Sequence, residues 1–247
     1  MEKFRSTSVA GLSEYCSAIG EGFCPFLQPA QKERVLYFSA YYLRGEEIRV
    51  LQEDIFYAGV LHTELLRKER ARQSTIRAKT LICENLVFYL ENHTGNAYGA
   101  ELFAWPHWFL KLLYTEVGVL FGKFWQGERD YTRDGRSIPI PPQHLLSIRS
   151  AVKPVDSRFF LKAPELTMEY HLSSDNGQNV LSQIMNSRTR EIINRVQEFP
   201  LQDVSQEVFQ SLMQEMKNVS FYADVVEWSM YKEHTLGIQT QNQDDVS

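Results

Sequence analysis

The stretch that decides the predicted fold occupies residues 105–152 and reads WPHWFLKLLYTEVGVLFGKFWQGERDYTRDGRSIPIPPQHLLSIRSAV. An aromatic, helix-like run leads through Gly118 into an apolar run at residues 119–125, which predicts a strand. A polar loop at residues 126–136 and a proline-rich segment then lead to a second predicted strand at residues 145–152. Two strands of one sheet are therefore expected, joined by a long loop of the kind that carries functional residues.

The segments before this stretch extend the predicted sheet and add a helix. An aromatic-rich run at residues 35–43, followed by Arg44-Gly45, predicts another strand. From Glu46 onward the apolar residues recur at steps of three and four as far as Leu65, which predicts a helix. The apolar run at residues 81–90 fits a helix or a strand equally well. The first twenty residues show little periodicity, and we expect them to pack late or remain mobile.

The segments after the stretch predict two amphipathic helices separated by Pro200, which interrupts the apolar pattern. Residues 237–247 are rich in Gln, Asn and Asp and predict a disordered tail. The fold class that follows is α+β: residues 1–236 form a single domain with a central, mainly antiparallel sheet. Helices are expected on one face of this sheet, with the last two helices packed across it.

Composition and charge exclude several classes of function. The formal net charge of −5 gives no reason to expect nucleic acid as a partner. One basic run, between Arg67 and Lys79, lacks interleaved aromatic residues for base stacking and fits a solvated helix end better than a nucleic-acid site. No 18-residue apolar run and no signal-peptide pattern is present, which predicts no membrane span and a cytoplasmic protein. Three cysteines without metal-type spacing fit reduced thiols.

Individual residues carry the candidate chemistry, since the chain has no dinucleotide, phosphate-loop, zinc-protease or α/β-hydrolase motif. His107 follows Pro106 in the first turn of a predicted helix and suits a general base, an iron ligand or a surface histidine. Lys111 lies one turn further on the same helix face and suits an anion contact or a solvated charge. Arg149 lies on a predicted strand and suits a carboxylate clamp or a structural ion pair.

The order of these residues resembles a group of microbial proteins that carry a domain of unknown function and are associated with specialised-metabolite gene clusters. The resemblance covers roughly residues 23–161. Its positions are Cys24-Pro25-Phe26, then His107-x3-Lys111-x6-Gly118-x3-Gly122-x-Phe124, then Ile148-Arg149, then Asp156 with Phe159 and Phe160. The chain departs from that pattern at Trp125 and Ser150, where such proteins tend to have histidine, which puts a histidine-bound metal or haem in question.

The Cys-Pro-Phe opening and the two-strand layout also resemble, more distantly, haem-dependent N-hydroxylases of natural-product pathways. The resemblance implies a biosynthetic enzyme that oxygenates an amino-acid-like substrate with haem or iron; the cofactor and the catalytic status stay open. His107 would act as ligand or base and Arg149 would hold the substrate carboxylate, while Lys111 and Trp125 would line the same cleft. The alternative is a non-catalytic binding or accessory protein of such a pathway.

Overall fold

In the computed structural model, the described residues are 1–4, 9–90, 98–114, 118–151 and residue 214. The strands are β1 (Glu2–Phe4), β2 (Leu36–Leu43), β3 (Cys83–Leu90), β4 (Val119–Phe124) and β5 (His144–Ser150). The helices are α1 (Leu12–Gly22), α2 (Leu27–Lys32), α3 (Ile48–Arg72), α4 (Ile76–Leu81) and α5 (Ala104–Tyr114), the last preceded by a 3-10 helix (Gly99–Phe103).

The five strands form one sheet in the order β1-β2-β3-β5-β4. Strands β2 and β3 pair in parallel, whereas the other three pairings are antiparallel. Parallel neighbours require a long crossover, and the 25-residue helix α3 supplies it together with α4. The α+β class and the mainly antiparallel sheet are thus confirmed, and the ambiguous segment at residues 81–90 is strand β3.

Helix α3 is the centre of the main core. Its middle, from Leu51 to Leu66, is buried almost all round because the sheet, α5 and the 3-10 helix enclose it. Gly59 allows the Leu110 side chain of α5 to pack closely against α3, because a Cβ at position 59 would lie 2.5 Å from Cδ1 of Leu110. A larger residue at position 59 would require the Leu110 side chain to move.

A second, smaller core lies on the opposite face of the sheet. Val9 and Leu12, at the start of α1, pack there against Ala40, Val87 and Leu145 of three neighbouring strands. Helices therefore cover both faces, and the expectation of helices on one face alone was wrong. Helix α1 begins within the first twenty residues, where no helix was predicted because the short apolar stripe is interrupted by Ser and Gly and gives a weak periodic signal. Late packing of this segment stays a prediction.

A buried polar network joins α3 to the sheet. The Glu84 carboxylate on β3 accepts a hydrogen bond from the Ser39 hydroxyl on β2 at 2.8 Å. The same oxygen lies 2.9 Å from Nδ1 of His62 on α3, and Nε2 of His62 lies 2.5 Å from the Tyr41 hydroxyl. All four side chains are at most 5% exposed. Burial, and next the charge of Glu84, raises the pKa of Tyr41 well above its usual range, so its hydroxyl stays protonated.

Several arginines of the basic run at residues 67–79 make contacts within the fold, so the run is not simply a solvated helix end. Helix α3 extends to Arg72, and Arg70 donates a hydrogen bond to the Gly118 carbonyl at 2.7 Å, just before β4. Arg67 pairs with the buried Glu64 at 2.9 Å, and Arg77 of α4 pairs with Glu33 at 2.8 Å. These contacts engage several of the cations, and the expected lack of nucleic-acid binding stays a prediction.

His144, at the start of β5, is a buried imidazole. It is 1% exposed, it lies beside the ring of Phe103, and neither ring nitrogen has a hydrogen-bond partner among the described residues. Burial lowers its pKa from 6.5 to about 4, so the folded protein holds it neutral.

The predicted C-terminal helices and the tail at residues 237–247 lie outside the described residues. Among the helices that are described, none combines the length and apolar character needed to cross a bilayer.

The network predicts a large stability loss when its central acceptor is removed. Glu84→Leu leaves the Ser39 hydroxyl buried without its acceptor and removes the carboxylate that lies 2.9 Å from Nδ1 of His62. It should lower the free energy of unfolding by about 3 kcal/mol. Urea unfolding followed by circular dichroism measures this. The control is Glu53→Leu, which removes a partly exposed partner of Arg49 and should change stability by less than about 1 kcal/mol. Equal effects of the two substitutions would contradict a structural role for the network.

His144 predicts a loss of stability on acidification. Because its pKa is lower in the folded than in the unfolded chain, the unfolded chain binds the proton first as pH falls below 6.5. At about pH 5 this should cost about 2 kcal/mol of unfolding free energy relative to neutral pH. His144→Phe should flatten this part of the pH profile, as measured by urea unfolding at several pH values. A mutant profile with the wild-type slope would show that another group is responsible.

Candidate functional site

A groove of about 1360 Å³ runs along the face of the sheet opposite α3. Its walls come from α1, α2 and the β4–β5 loop, and its floor consists of alternate residues of four strands. The floor residues are Phe38, Cys83, Asn85, Leu120, Gly122, Phe124, Leu145, Ser147 and Arg149. The volume exceeds the roughly 300–1,000 Å³ typical of small-molecule pockets, so the groove has room for more than one binding subsite.

The groove also continues around the edge of the sheet. Strand β4 is an outer strand, and residues on both of its faces line the cavity, including Leu120 on one and Lys123 on the other. Gly122 leaves room here for the Phe124 side chain, because a Cβ at position 122 would lie 3.2 Å from the Phe124 ring.

Two arginines stack on two phenylalanines in the wall of the groove. Phe23 and Phe26 lie on the turn between α1 and α2, where Pro25 keeps the preceding residue out of helical geometry. The Arg149 guanidinium carbon lies 5.2 Å from the centre of the Phe26 ring, and that of Arg136 lies 5.5 Å from the centre of the Phe23 ring. Both distances are within the range of cation–π attraction.

The two arginines differ in their other contacts. Arg136, on the exposed β4–β5 loop, pairs with Asp134 at 2.9 Å. Arg149 is half-buried on the floor, and no acidic side chain among the described residues forms an ion pair with it. The structural ion pair that the sequence left open for Arg149 is therefore absent from the described part of the chain. Beside it lie the polar groups of Cys83 and Ser147, whose Sγ and Oγ atoms are 3.6 Å apart.

All three cysteines of the chain line the groove. Burial raises the pKa of Cys16 to about 11 and that of Cys83 to about 12. Both thiols therefore stay protonated at neutral pH, which makes them poor nucleophiles and poor metal ligands. Cys24 is half-buried between the two stacked phenylalanines.

Glu128, on the β4–β5 loop, is the acid of the groove with the most perturbed pKa. Burial, opposed by a hydrogen bond from the Trp125 backbone and reinforced by the charge of Asp130, raises its pKa to about 7. Lys123 acts in the opposite direction, but more weakly. A carboxyl group with a pKa near neutrality can both accept and donate a proton at physiological pH.

His107 lies in the first turn of α5 and is 4% exposed. Its Nε2 atom lies 3.3 Å from the Phe121 carbonyl oxygen of β4. Because a carbonyl oxygen only accepts, Nε2 carries the hydrogen, and Nδ1 of the neutral ring is left as an acceptor. Burial, and then the charges of Lys111 and Lys123, lower the pKa of His107 well below its usual value.

The residues predicted from the sequence share the groove but not one face of the sheet. His107, Lys111, Trp125 and Arg149 all line it. Phe121, which contacts His107, pairs with Ile148, and both side chains lie in the main core on the α3 side. Arg149, the next residue, therefore points to the other side. His107 and Arg149 consequently belong to separate subsites on either side of β4, and their catalytic roles stay predictions.

The described residues do not fit an iron centre built from protein ligands. Within the described ranges, no group of three or more His, Cys, Asp or Glu side chains is placed to hold a metal ion. His107 directs Nε2 at a backbone carbonyl, and both His62 and His144 lie in the main core. Trp125 and Ser150 stand where the resembling proteins tend to have histidine.

The sequence predicted no site role for Phe26, Glu128 or Lys123. The Phe-Cys-Pro-Phe segment had a recognisable signal, since two aromatic residues flank an extended X-Pro unit. Glu128 belonged to a charged loop with no distinguishing pattern, and only its burial sets it apart.

No family model, no curated protein and no solved structure shows detectable similarity to the chain.

The environment of Glu128 predicts how its pKa responds to its two charged neighbours. A titration of the side-chain carboxyl carbon by NMR should give a pKa of about 7. Asp130→Asn removes a repelling negative charge and should lower the pKa, whereas Lys123→Gln removes an attracting positive charge and should raise it. A pKa near 4.5 in the wild-type protein would show that water reaches this carboxyl.

Proposed function

We propose that the protein binds a small amphipathic carboxylate in the groove, as a binding or accessory protein of a biosynthetic pathway. The observation that supports this most is Arg149, a half-buried guanidinium on an otherwise largely apolar floor, without an acidic partner among the described residues. Removing such a cation from water is costly unless an anion or hydrogen-bond acceptor offsets the loss. A ligand carboxylate supplies that acceptor.

The surroundings of Arg149 define the ligand class. The Arg149 guanidinium carbon lies 5.2 Å from the centre of the Phe26 ring, and the planar edge of a guanidinium group suits a bidentate contact with a carboxylate. Phe38, Phe124 and Leu145 offer an apolar surface beside it, and the nearby Asn85 and Ser147 offer hydrogen bonds to polar atoms of the ligand. A molecule with one carboxylate and an aromatic or aliphatic body matches these groups.

The side chains available to coordinate iron favour a binding role over an oxygenase role. Oxygenation by an iron held only by protein side chains needs a set of ligands, and the described residues offer no group of three. Haem needs one axial ligand; among the described histidines, His107 directs Nε2 at the Phe121 carbonyl, and His62 and His144 are buried in the main core. No step through iron or haem is therefore proposed. The connection with specialised metabolism comes from the sequence resemblance alone.

Acid–base catalysis in the groove is a second candidate function, favoured by Glu128. Its carboxyl lines the same cavity as Arg149, and burial brings its pKa to about 7. A bound carboxylate with an acidic C–H or a hydroxyl group would find a proton acceptor there. Under this alternative, Glu128→Gln would abolish turnover of a bound ligand without weakening its binding.

The binding proposal predicts a strong dependence on the guanidinium group of Arg149. In calorimetric titrations with a panel of phenyl- and indolyl-alkanoates, Arg149→Lys should weaken the tightest binder about tenfold. Arg149→Met should weaken it by about tenfold to a hundredfold, as expected for lost charge-assisted hydrogen bonds. The corresponding carboxamides should bind weakly to the wild-type protein and show little dependence on residue 149.

The matched control is Arg133→Lys, an exposed arginine of the β4–β5 loop that does not line the groove. This variant should bind the carboxylates like the wild-type protein. Equal affinity for carboxylates and carboxamides, or equal effects of the two Arg→Lys variants, would count against the proposal.

A further inference from the structure

We propose that His107, Lys111 and Lys123 form a second binding site, on the α5 side of β4, for an oxyanion that carries one O–H group. Monohydrogen phosphate is the simplest such ion. The site goes beyond the carboxylate subsite at Arg149 and does not depend on it, because the two lie on opposite sides of the sheet edge.

His107 has a ring nitrogen acceptor that no described residue uses. The ring is held by two neighbouring elements: its residue belongs to α5, and its Nε2–H donates to the Phe121 carbonyl of β4 at 3.3 Å. Nδ1 has no hydrogen-bond partner among the described residues, although the side chain is only 4% exposed. A buried acceptor without a donor is costly, and His107 lines the cavity, so a ligand can supply the donor.

Two lysines place positive charge beside the His107 ring. Lys111 lies one helical turn beyond His107 on the same face of α5. Lys123 lies two residues beyond Phe121 on β4, so its side chain leaves the strand on the same face as that of Phe121. All three residues line the cavity. The proposal needs only the positive charges of the two lysines, which act on the ring of His107.

The Nδ1 acceptor of His107 and the two lysine charges together determine the kind of ligand that fits the site. Two ammonium groups attract an oxyanion, whereas the bare Nδ1 atom repels an oxygen that has no hydrogen. An oxyanion with one protonated oxygen satisfies both requirements: its O–H donates to Nδ1, and its charged oxygens contact the lysines. Sulfate has the same shape as phosphate but no O–H group at neutral pH, so it would leave Nδ1 without a donor.

The test compares phosphate with sulfate by calorimetry on the full-length protein near neutral pH. The wild-type protein should bind inorganic phosphate at least about tenfold more tightly than sulfate, because one buried hydrogen bond separates the two ions. Methyl phosphate at about pH 8, where the monoester has lost its last proton, should behave like sulfate. Tight binding of this deprotonated monoester would overturn the requirement for an O–H group.

Substitutions test the His107 acceptor and the two lysine charges separately. His107→Gln retains an N–H that can donate to the Phe121 carbonyl but removes the Nδ1 acceptor, and should abolish the preference for phosphate over sulfate. Lys111→Gln and Lys123→Gln should each weaken both ions about fivefold or more. The control Lys79→Gln changes a lysine of α4 that does not line the groove and should have no effect.

Long-range proton–nitrogen NMR of the His107 ring provides a readout on the wild-type protein, in case His107→Gln does not fold. Phosphate should move the Nδ1 resonance upfield from the position of a bare ring nitrogen, whereas sulfate should leave it unchanged. Equal affinity for the two ions, an unchanged Nδ1 resonance at saturating phosphate, or the absence of phosphate binding would overturn the proposal.

Discussion

The architecture depends on one buried carboxylate, that of Glu84. A carboxylate at 0% exposure needs polar partners: the Ser39 hydroxyl of β2 donates a hydrogen bond to it, and Nδ1 of His62 on α3 lies 2.9 Å from the same oxygen. Because Tyr41 continues the network beyond His62, the contacts connect two strands with the crossover helix that joins them. This fixes which face of the parallel pair α3 covers and therefore which face remains for the groove.

The division between the two faces explains the distribution of chemistry. Side chains alternate along β3 and β5, so Glu84 and Ile148 enter the α3 core while Cys83 and Arg149 enter the groove. On the core side, Ser39, Tyr41, His62 and Glu84 contact one another in the network, which stabilises one arrangement. On the groove side, Arg149 is stacked on an aromatic ring and has no acidic partner among the described residues, which is the arrangement expected of a group that binds a ligand.

Local sequence patterns predicted the strands well and the site only in part. The aromatic and β-branched runs at residues 35–43, 119–125 and 145–152 are strands within one or two residues of the predicted ends, because strand preference is encoded locally. The relation between His107 and Arg149 depends on the register of β4 against β5 and on the position of α5, which are long-range features. The perturbed pKa of Glu128 depends on burial by distant segments, so the charged loop carried no signal for it.

The contact between the Arg149 guanidinium and a ligand carboxylate in the groove can be observed by NMR of the arginine Nε–H groups. A carboxylate that accepts a hydrogen bond shifts the proton resonance of its donor downfield. At saturation with the tightest-binding carboxylate, the Nε–H proton of Arg149 should shift downfield and exchange more slowly with water, while that of Arg72, which pairs with Glu69 on α3, should not change. A saturated complex in which the Arg149 resonance remains where it was in the unbound protein would show that Arg149 does not bind the ligand carboxylate.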